Sequence, residues 1–442
     1  MTSAAAVDQL VPATISGAGL PSWLEERKLA DQRTYGDLPW PDSSTMEDWR
    51  RTDISHLDPR AFALEDPGAA GPQAGRSHNW ERGGEGGALV QQRDGRAEPA
   101  NLPAELAAQG VLVSSLEDAA RDHPDLVRRH LEAEVVPAAA GKLAALNAAF
   151  WRGGSFVYVP PGVEAALPVW AAFTTPAAGA AMVLPRSLVV VDEGASLVYT
   201  DEYSSPVAAG ALSSAVTEVV LGDGARIQYL VLQQWGDDVN HFATHRIHVG
   251  RDCQADLVVA ATGARLSKVY MEVAMMGPGS NARISGLVIG DRDQHFDYQS
   301  LQDHLAPNCV SDLLVKGALR DSARSVYSGL IKIRKEAQHS DAYQANRNLM
   351  LSPLAKADSI PKLEIEANDV RCTHGATVGQ VDPEQLFYLQ SRGFSLREAQ
   401  NTLVHGFFEP VIDRIPLEQV RQQIHEAIDA ELAGLEPAAG AA

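Results

Sequence analysis

The sequence predicts a mainly β protein whose core is a β-solenoid held between helical regions at its two ends. Three observations carry that expectation. From about Phe150 to Gly379 short apolar runs alternate with turns, as in Phe156-Val157-Tyr158-Val159, Ser187-Leu188-Val189-Val190-Val191, Glu218-Val219-Val220-Leu221 and Asp256-Leu257-Val258-Val259. The turns share a form: Asp192-Glu193-Gly194-Ala195-Ser196-Leu197 is echoed around Gly224, around Cys253 and around Gly279, placing Leu197, Ile227, Leu257 and Ile284 at spacings of 30, 30 and 27 residues. A period in that range signals stacked coils that bury a continuous apolar column. Finally, no helical patterns are interleaved with the strands, which argues against a doubly wound sheet or a (β/α) barrel. A β-sandwich with similar turns shares the first observation, and the fixed period favours the solenoid over it.

Residues 1 to 150 are expected to be an amino-terminal helical region. Pro21 starts a helix, because a proline at the first helical position lacks an N–H that has no partner there anyway. Residues 66–87, rich in Gly, Pro, Ala and Arg, are expected to form a mobile loop or linker. Ser115 is an N-cap candidate for one apolar-periodic helix from Ala119 to Val136, with Glu117 and Asp118 in its first turn. Residues 151–380 form the β core, and 381–442 a carboxy-terminal helical domain. There Asp382-Pro383-Glu384 starts a helix that Gly393 ends, and Ser395-Leu396-Arg397-Glu398 is a capping box. Leu396, Ala399, Leu403, Phe407 and Val411 have the spacing of a buried stripe, and a last helix from Pro416 aligns Leu417, Val420, Ile424, Ile428 and Leu432.

Composition narrows the function. A chain of 442 residues with 37 Lys and Arg against 57 Asp and Glu carries a formal charge of −20, the wrong sign for a nucleic-acid or anionic-membrane binder. Cys253, Cys309 and Cys372 are too few for a disulfide framework and point to a reducing compartment. No basic, apolar leader is visible at the start and no apolar stretch reaches ~20 residues, so a cytoplasmic protein is expected.

The usual catalytic motifs are absent. Without GxxxxGK[ST] the chain has no P-loop and is not expected to bind or hydrolyse ATP. No nucleophile elbow, HExxH or CxxC is present either. His241, His245 and His248 would share a face on a helix and could then hold a metal. Their flanks indicate a strand, where 245 and 248 point to opposite sides and core or solvated histidines result. Cys372 and His374 project from one face of an extended segment, and sulfur plus nitrogen suits iron or zinc. Two donors leave such a site incomplete, and a buried cysteine beside a polar turn residue fits the same spacing.

Longer motifs carry more. His304-Leu305-Ala306-Pro307, Lys316-Gly317-Ala318-Leu319, Ala337-Gln338-His339-Ser340-Asp341-Ala342 and Asn346 to Ser352 are followed by Pro361-Lys362-Leu363-Glu364-Ile365, Asn368 to Gly379 and Gln385 to Gly393. This ordered set resembles the SufB/SufD family of iron–sulfur cluster assembly scaffolds, and Glu47-Asp48-Trp49-Arg50-Arg51-Thr52-Asp53 resembles that family's amino-terminal domain. The resemblance implies a right-handed parallel β-helix core between amino- and carboxy-terminal helical domains.

Two positions speak to the branch. Where SufB-type chains carry a cysteine used to receive sulfur, this chain has Ile365, and where they carry Glu-His-Glu-Ala-Thr-Thr it has Thr373-His374-Gly375-Ala376-Thr377-Val378. Both resemble the SufD branch, a scaffold rather than an enzyme, and a SufB paralogue is the alternative that Ile365 disfavours. The resemblance further implies a heterodimer with SufB, with a homodimer as the alternative assembly, and two copies of the ATPase SufC. A transient iron–sulfur cluster forms at the SufB interface, fed by a sulfur donor system acting through SufB, with a contribution to iron acquisition. By the same resemblance His374 is a metal ligand, Cys372 a secondary one, and Leu386, Phe387, Phe394, Leu396, Leu403, Phe407 and Phe408 are candidates for docking SufC. The competing class is a carbohydrate-active β-solenoid enzyme of the secreted type, for which Asp291, Asp293, Asp297 and Asp303 would supply the carboxylates.

Overall fold

The computed structural model describes residues 19–64, 86–93, 95–175, 180–205 and 210–433. All but Gly86 and Gly87 of the loop expected at 66–87, and the amino-terminal residues that bear on a leader, lie outside them.

Two parallel sheets face each other across the core, and the chain visits them alternately. Arg186–Val191, Ala211–Leu221, Val239–Val249, Leu266–Met275, His295–His304, Arg324–Ile333 and Lys356–Ile365 stack in the first sheet. Ser196–Ser204, Arg226–Gln234, Gln254–Ala261, Asn281–Gly290, Val310–Leu319, Asp341–Met350 and Arg371–Gln380 stack in the second. Each coil is therefore one strand from each sheet, and the architecture is a β-solenoid.

The shared turn has a mechanical cause. Gly194, Gly224, Asp252, Gly279, Asn308 and His339 all adopt positive φ at the bend between the two sheets. Each donates its N–H to a carbonyl of the next coil, from Gly194 to Asp223 through His339 to Asp369. The following residue, Ala195, Ala225, Cys253, Ser280, Cys309 or Ser340, is buried at the inner corner, where only a small side chain fits. Two of the three cysteines are thus corner fillers. Pairing corrects one detail of the sequence period: Leu197 stacks on Ile227, but Ile227 stacks on Ala255, while Leu257 pairs with Tyr229 and Ile284. The coil length varies because the bends do.

The amino-terminal region is less purely helical than expected. Ala88–Arg93 runs parallel to Val169–Thr174 and joins the second sheet, and Leu112–Ser114 pairs antiparallel with Ser155–Val159 in the first. Gln91 and Gln92 break the apolar alternation that would have revealed the former strand. Its described α-helices are α1 (Ser22–Asp37), α2 (Ala104–Ala108), α3 (Leu116–Asp122), α4 (Pro124–Glu132) and α5 (Lys142–Phe150). Ser115 caps α3 by accepting from the Asp118 N–H at 3.0 Å. The single helix expected from 119 to 136 is split, because Pro124 cannot continue the ladder and instead opens α4. With α1 and α5, the segment Glu47–Asp53 covers the outer face of the first sheet, where Trp49, Ile54 and Leu146 pack with Leu212, Phe242 and Leu266.

Among the described residues three helices follow the last strand: α6 (Pro383–Ser391), α7 (Leu396–Ile412) and α8 (Glu418–Ala433). Asp382 caps α6, and the Ser395–Glu398 capping box is complete in both directions. α7 and α8 lie on the outer face of the second sheet, where Val404, Phe408, Val411, Ile424 and Ile428 pack with Leu230, Leu232, Leu287 and Ile289. The buried stripe of α7 is Ala399, Val404, Phe408, Val411 and Ile412, rotated from the expected one, so Leu403 and Phe407 are only half-buried.

Candidate functional site: the open terminal coil

The last coil, Lys356–Ile365 and Arg371–Gln380, pairs on one side only. Its inward columns show what that means. Ile331 and Ile333 are 0% exposed, while Leu363 and Ile365, their register partners in the last coil, are 37% and 44% exposed. The same columns that form core one coil earlier here face open space, and both sheets end in an edge. Pro361, which has no N–H to donate, sits in one of those edges.

On the second sheet Cys372 stacks on Ala342 and His374 on Gln344, so both belong to inward columns of this open coil. The structure brings the two together on one face, as the i, i+2 spacing requires. Their environments differ. Cys372 is half-buried against Ala342, Ile331 and Ile333. Burial, reinforced by the Asp341 carboxylate, pushes its thiol up to about 11. A metal binds the thiolate, so Cys372 is a reluctant ligand at neutral pH. His374 is exposed, and no hydrogen bond among the described residues holds it, which leaves an accessible nitrogen donor at the rim. Ile365 ends the preceding strand and supplies only an apolar surface there.

Beside this coil, α6 buries none of its residues. Phe387 and Tyr388 are 73% and 60% exposed, and Phe394 is also exposed, an apolar patch that no described residue covers. Leu386 and Leu396 are half-buried at its margin. Phe407 packs on the second sheet, with the Lys316 ammonium 4.7 Å from its ring centre. Phe408 is 0% exposed and belongs to the chain's own core, so it is withdrawn from the docking candidates.

The other histidines are interior or apart. His241 and His245 point into the solenoid, where His241 Nδ1 lies 3.0 Å from Ser213 Oγ and His245 Nδ1 lies 2.7 Å from the Tyr229 hydroxyl. Burial holds both rings neutral, down to about 3. His248 lies on the other face of that strand. Among the described residues no group of three or more His, Cys, Asp or Glu side chains is arranged to hold a metal. The carboxylates of the competing reading are dispersed: Asp291 pairs with Arg320, Asp297 with Lys268 and Asp303 with Arg334, while Asp293 sits in a turn. They form no facing pair of the kind glycoside hydrolysis needs.

Sequence reasoning missed a buried polar network. Asp201 accepts hydrogen bonds from Tyr199, Thr217 and Tyr229 inside the solenoid, where burial raises its carboxyl to about 6. The run Tyr199-Thr200-Asp201-Glu202-Tyr203 does carry polar groups at alternate positions of a strand, which was the available signal.

Comparison with known proteins agrees with this architecture. Residues 173–407 match the family described as SUF system FeS cluster assembly, SufBD core domain, and residues 90–170 match the SufBD protein N-terminal region. The chain is 30% identical over 419 residues to the iron–sulfur cluster assembly protein SufD of Bacillus subtilis, covering 93% of this chain and 94% of that protein. It is 31% identical over 319 residues to SufB of the same organism, covering 72% of this chain and 68% of that protein. A SufBD family protein of Staphylococcus epidermidis is 32% identical over the same length. The chain therefore belongs to the SufBD family of iron–sulfur cluster assembly proteins.

Proposed function

We propose that this chain is a SufD-type scaffold subunit without ATPase activity, acting in the cytoplasm with a SufB-type chain and a SufC-type ATPase. Its open terminal coil forms one wall of the surface on which an iron–sulfur cluster, the cargo, is assembled. The observation that supports this best is the coil itself: two unpaired sheet edges, exposed Leu363 and Ile365, and an accessible His374 on the inward face. Such edges invite a second chain of similar shape. Ile365 offers no thiol, so sulfur arrives on the partner's cysteine and His374 contributes nitrogen. A neutral imidazole is a competent iron ligand, which suits a cluster that must leave. ATP-driven closure of the ATPase subunits shifts one scaffold chain against the other and opens the site.

The test is co-expression of His374→Ala with SufB- and SufC-type partners, followed by anaerobic purification and visible spectroscopy. Cluster yield is expected to fall about tenfold while the complex still forms, the scale expected for weakening one metal contact. Unchanged yield would remove His374 from the ligand set. A second measurement addresses docking. Phe387→Glu and Tyr388→Glu alter exposed side chains, so the chain is expected to fold with a change within about 0.5 kcal/mol. Co-purification of the ATPase with either variant is expected to be lost; full retention would move its binding surface elsewhere.

A further inference from the structure

We propose that Gln344 is a positioning residue that ties the terminal strand of the first sheet to the strand on which the His374 strand stacks, and thereby places His374; this rests on the reading of His374 as a ligand. Gln344 is the register partner of His374 and lies directly beneath it, 1% exposed. The inward column below is apolar through Leu257, Ile284 and Leu313, and changes to an amide only at this last covered position. Nothing in the packing of a solenoid demands that change, because a leucine would continue the column.

The amide reaches across the core. Its Oε1 accepts from the Tyr327 hydroxyl at 2.9 Å. Its Nε2 donates to the carbonyl of Lys362 at 3.2 Å and, more weakly, to that of Gly329 at 3.4 Å. One acceptor facing a hydroxyl and one NH2 facing two carbonyls leave a single orientation for the group. Since Tyr327 donates to Gln344, its contact with Ser300 Oγ at 3.0 Å is made with Ser300 as donor, and the chain of bonds has one direction.

Gly329 makes the room. A Cβ there would fall 2.0 Å from Gln344 Oε1 and 2.1 Å from the Tyr327 oxygen. Lys362 belongs to the terminal strand of the first sheet, whereas Gln344 is anchored in the second. Each terminal strand has a neighbour on one side only, so its own ladder does not set its distance from the opposite sheet. The Gln344 amide supplies a crossbar between the Leu363–Ile365 end and the strand on which the His374 strand stacks.

The experiment uses the purified full chain with Gln344→Leu and, separately, Tyr327→Phe, which removes one donor and leaves the core volume almost unchanged. Hydrogen exchange in residues 356–365 is expected to accelerate about tenfold in Gln344→Leu, from buried groups left without partners. The diethylpyrocarbonate modification rate of His374, normalised to exposed His56, is expected to change about twofold or more, on the scale of one weakened hydrogen bond. Tyr327→Phe shifts both readouts the same way by less. Faster exchange with an unchanged His374 ratio overturns the positioning role, and so does wild-type behaviour of both variants. The two readouts involve no cluster, so they decide on Gln344 even if His374→Ala shows that His374 is not a ligand.

Discussion

Taking the protein from pH 7 to pH 5 is expected to lower its unfolding free energy by about 5–6 kcal/mol, because the buried rings of His295 and His304, held down to about 4, add to the effect of His241 and His245. The His241 and His245 rings are fully enclosed in the solenoid, and burial depresses them to about 3, with His245 adding to the effect on His241. The unfolded chain protonates them near the ordinary histidine value and the folded chain does not. Over this window the unfolded state therefore binds more protons, and stability falls with pH, by about 2 kcal/mol per ring. Asp201 works in the other direction. Its carboxyl is raised to about 6 by burial against the opposing effect of the Tyr199, Tyr229 and Thr217 hydroxyls. The folded state takes up that proton first, which returns about 1.4 kcal/mol as pH falls through this range. Urea unfolding at the two pH values measures the balance, and His245→Gln is expected to flatten the dependence by about one ring's share. Stability that is flat or rising toward pH 5 would mean that the rings are hydrated or protonated in the folded chain.

Much of this architecture is legible in the chain because its turns repeat. At six of the bends from the first sheet to the second a left-handed residue is followed by a small one, and the pair is written in the sequence as Gly-Ala, Asp-Cys, Gly-Ser, Asn-Cys or His-Ser. That Cys253 and Cys309 fill corners while Cys372 faces the open coil is legible only once the register assigns each to its column. The site motif was also legible, since Cys372 and His374 share a face in any strand. What the sequence concealed depends on partners distant along the chain. Gln344 looks like a surface residue until the opposite sheet brings Tyr327 and Lys362 to it. Phe408 looks as available for docking as Phe387, and only the placement of α7 on the second sheet separates them. Glu47–Asp53 stood out as a motif, but its role comes from Lys268 and Asp297, more than two hundred residues later.

That junction carries the other large effect. Lys268 and Asp297 are 0% and 1% exposed at their side chains, with Nζ 2.6 Å from Oδ2. Lys268 also donates to the Asp48 carbonyl at 2.8 Å, and Thr52 donates to the same Asp297 oxygen, so the pair fastens the 47–53 segment to the first sheet. Asp297→Ala leaves an ammonium buried without its counter-ion and is expected to cost about 3–5 kcal/mol in urea unfolding. Residues 47–53 should then lose hydrogen-exchange protection while the opposite sheet keeps its own. Lys268→Met with Asp297→Leu removes both charges and should lie much closer to the wild type, because the desolvation cost vanishes with the attraction. The pH dependence separates a charge effect from lost packing. Burial already lowers the Lys268 ammonium below its ordinary value, and Asp297 is the first group opposing that shift. Without Asp297 the folded state releases the proton more readily than the unfolded state, so the stability of Asp297→Ala should recover as pH rises from 7 to 9, more steeply than that of the wild type. A deficit that stays constant across that range would assign the loss to the cavity and the Thr52 contact, with the buried charge playing no part.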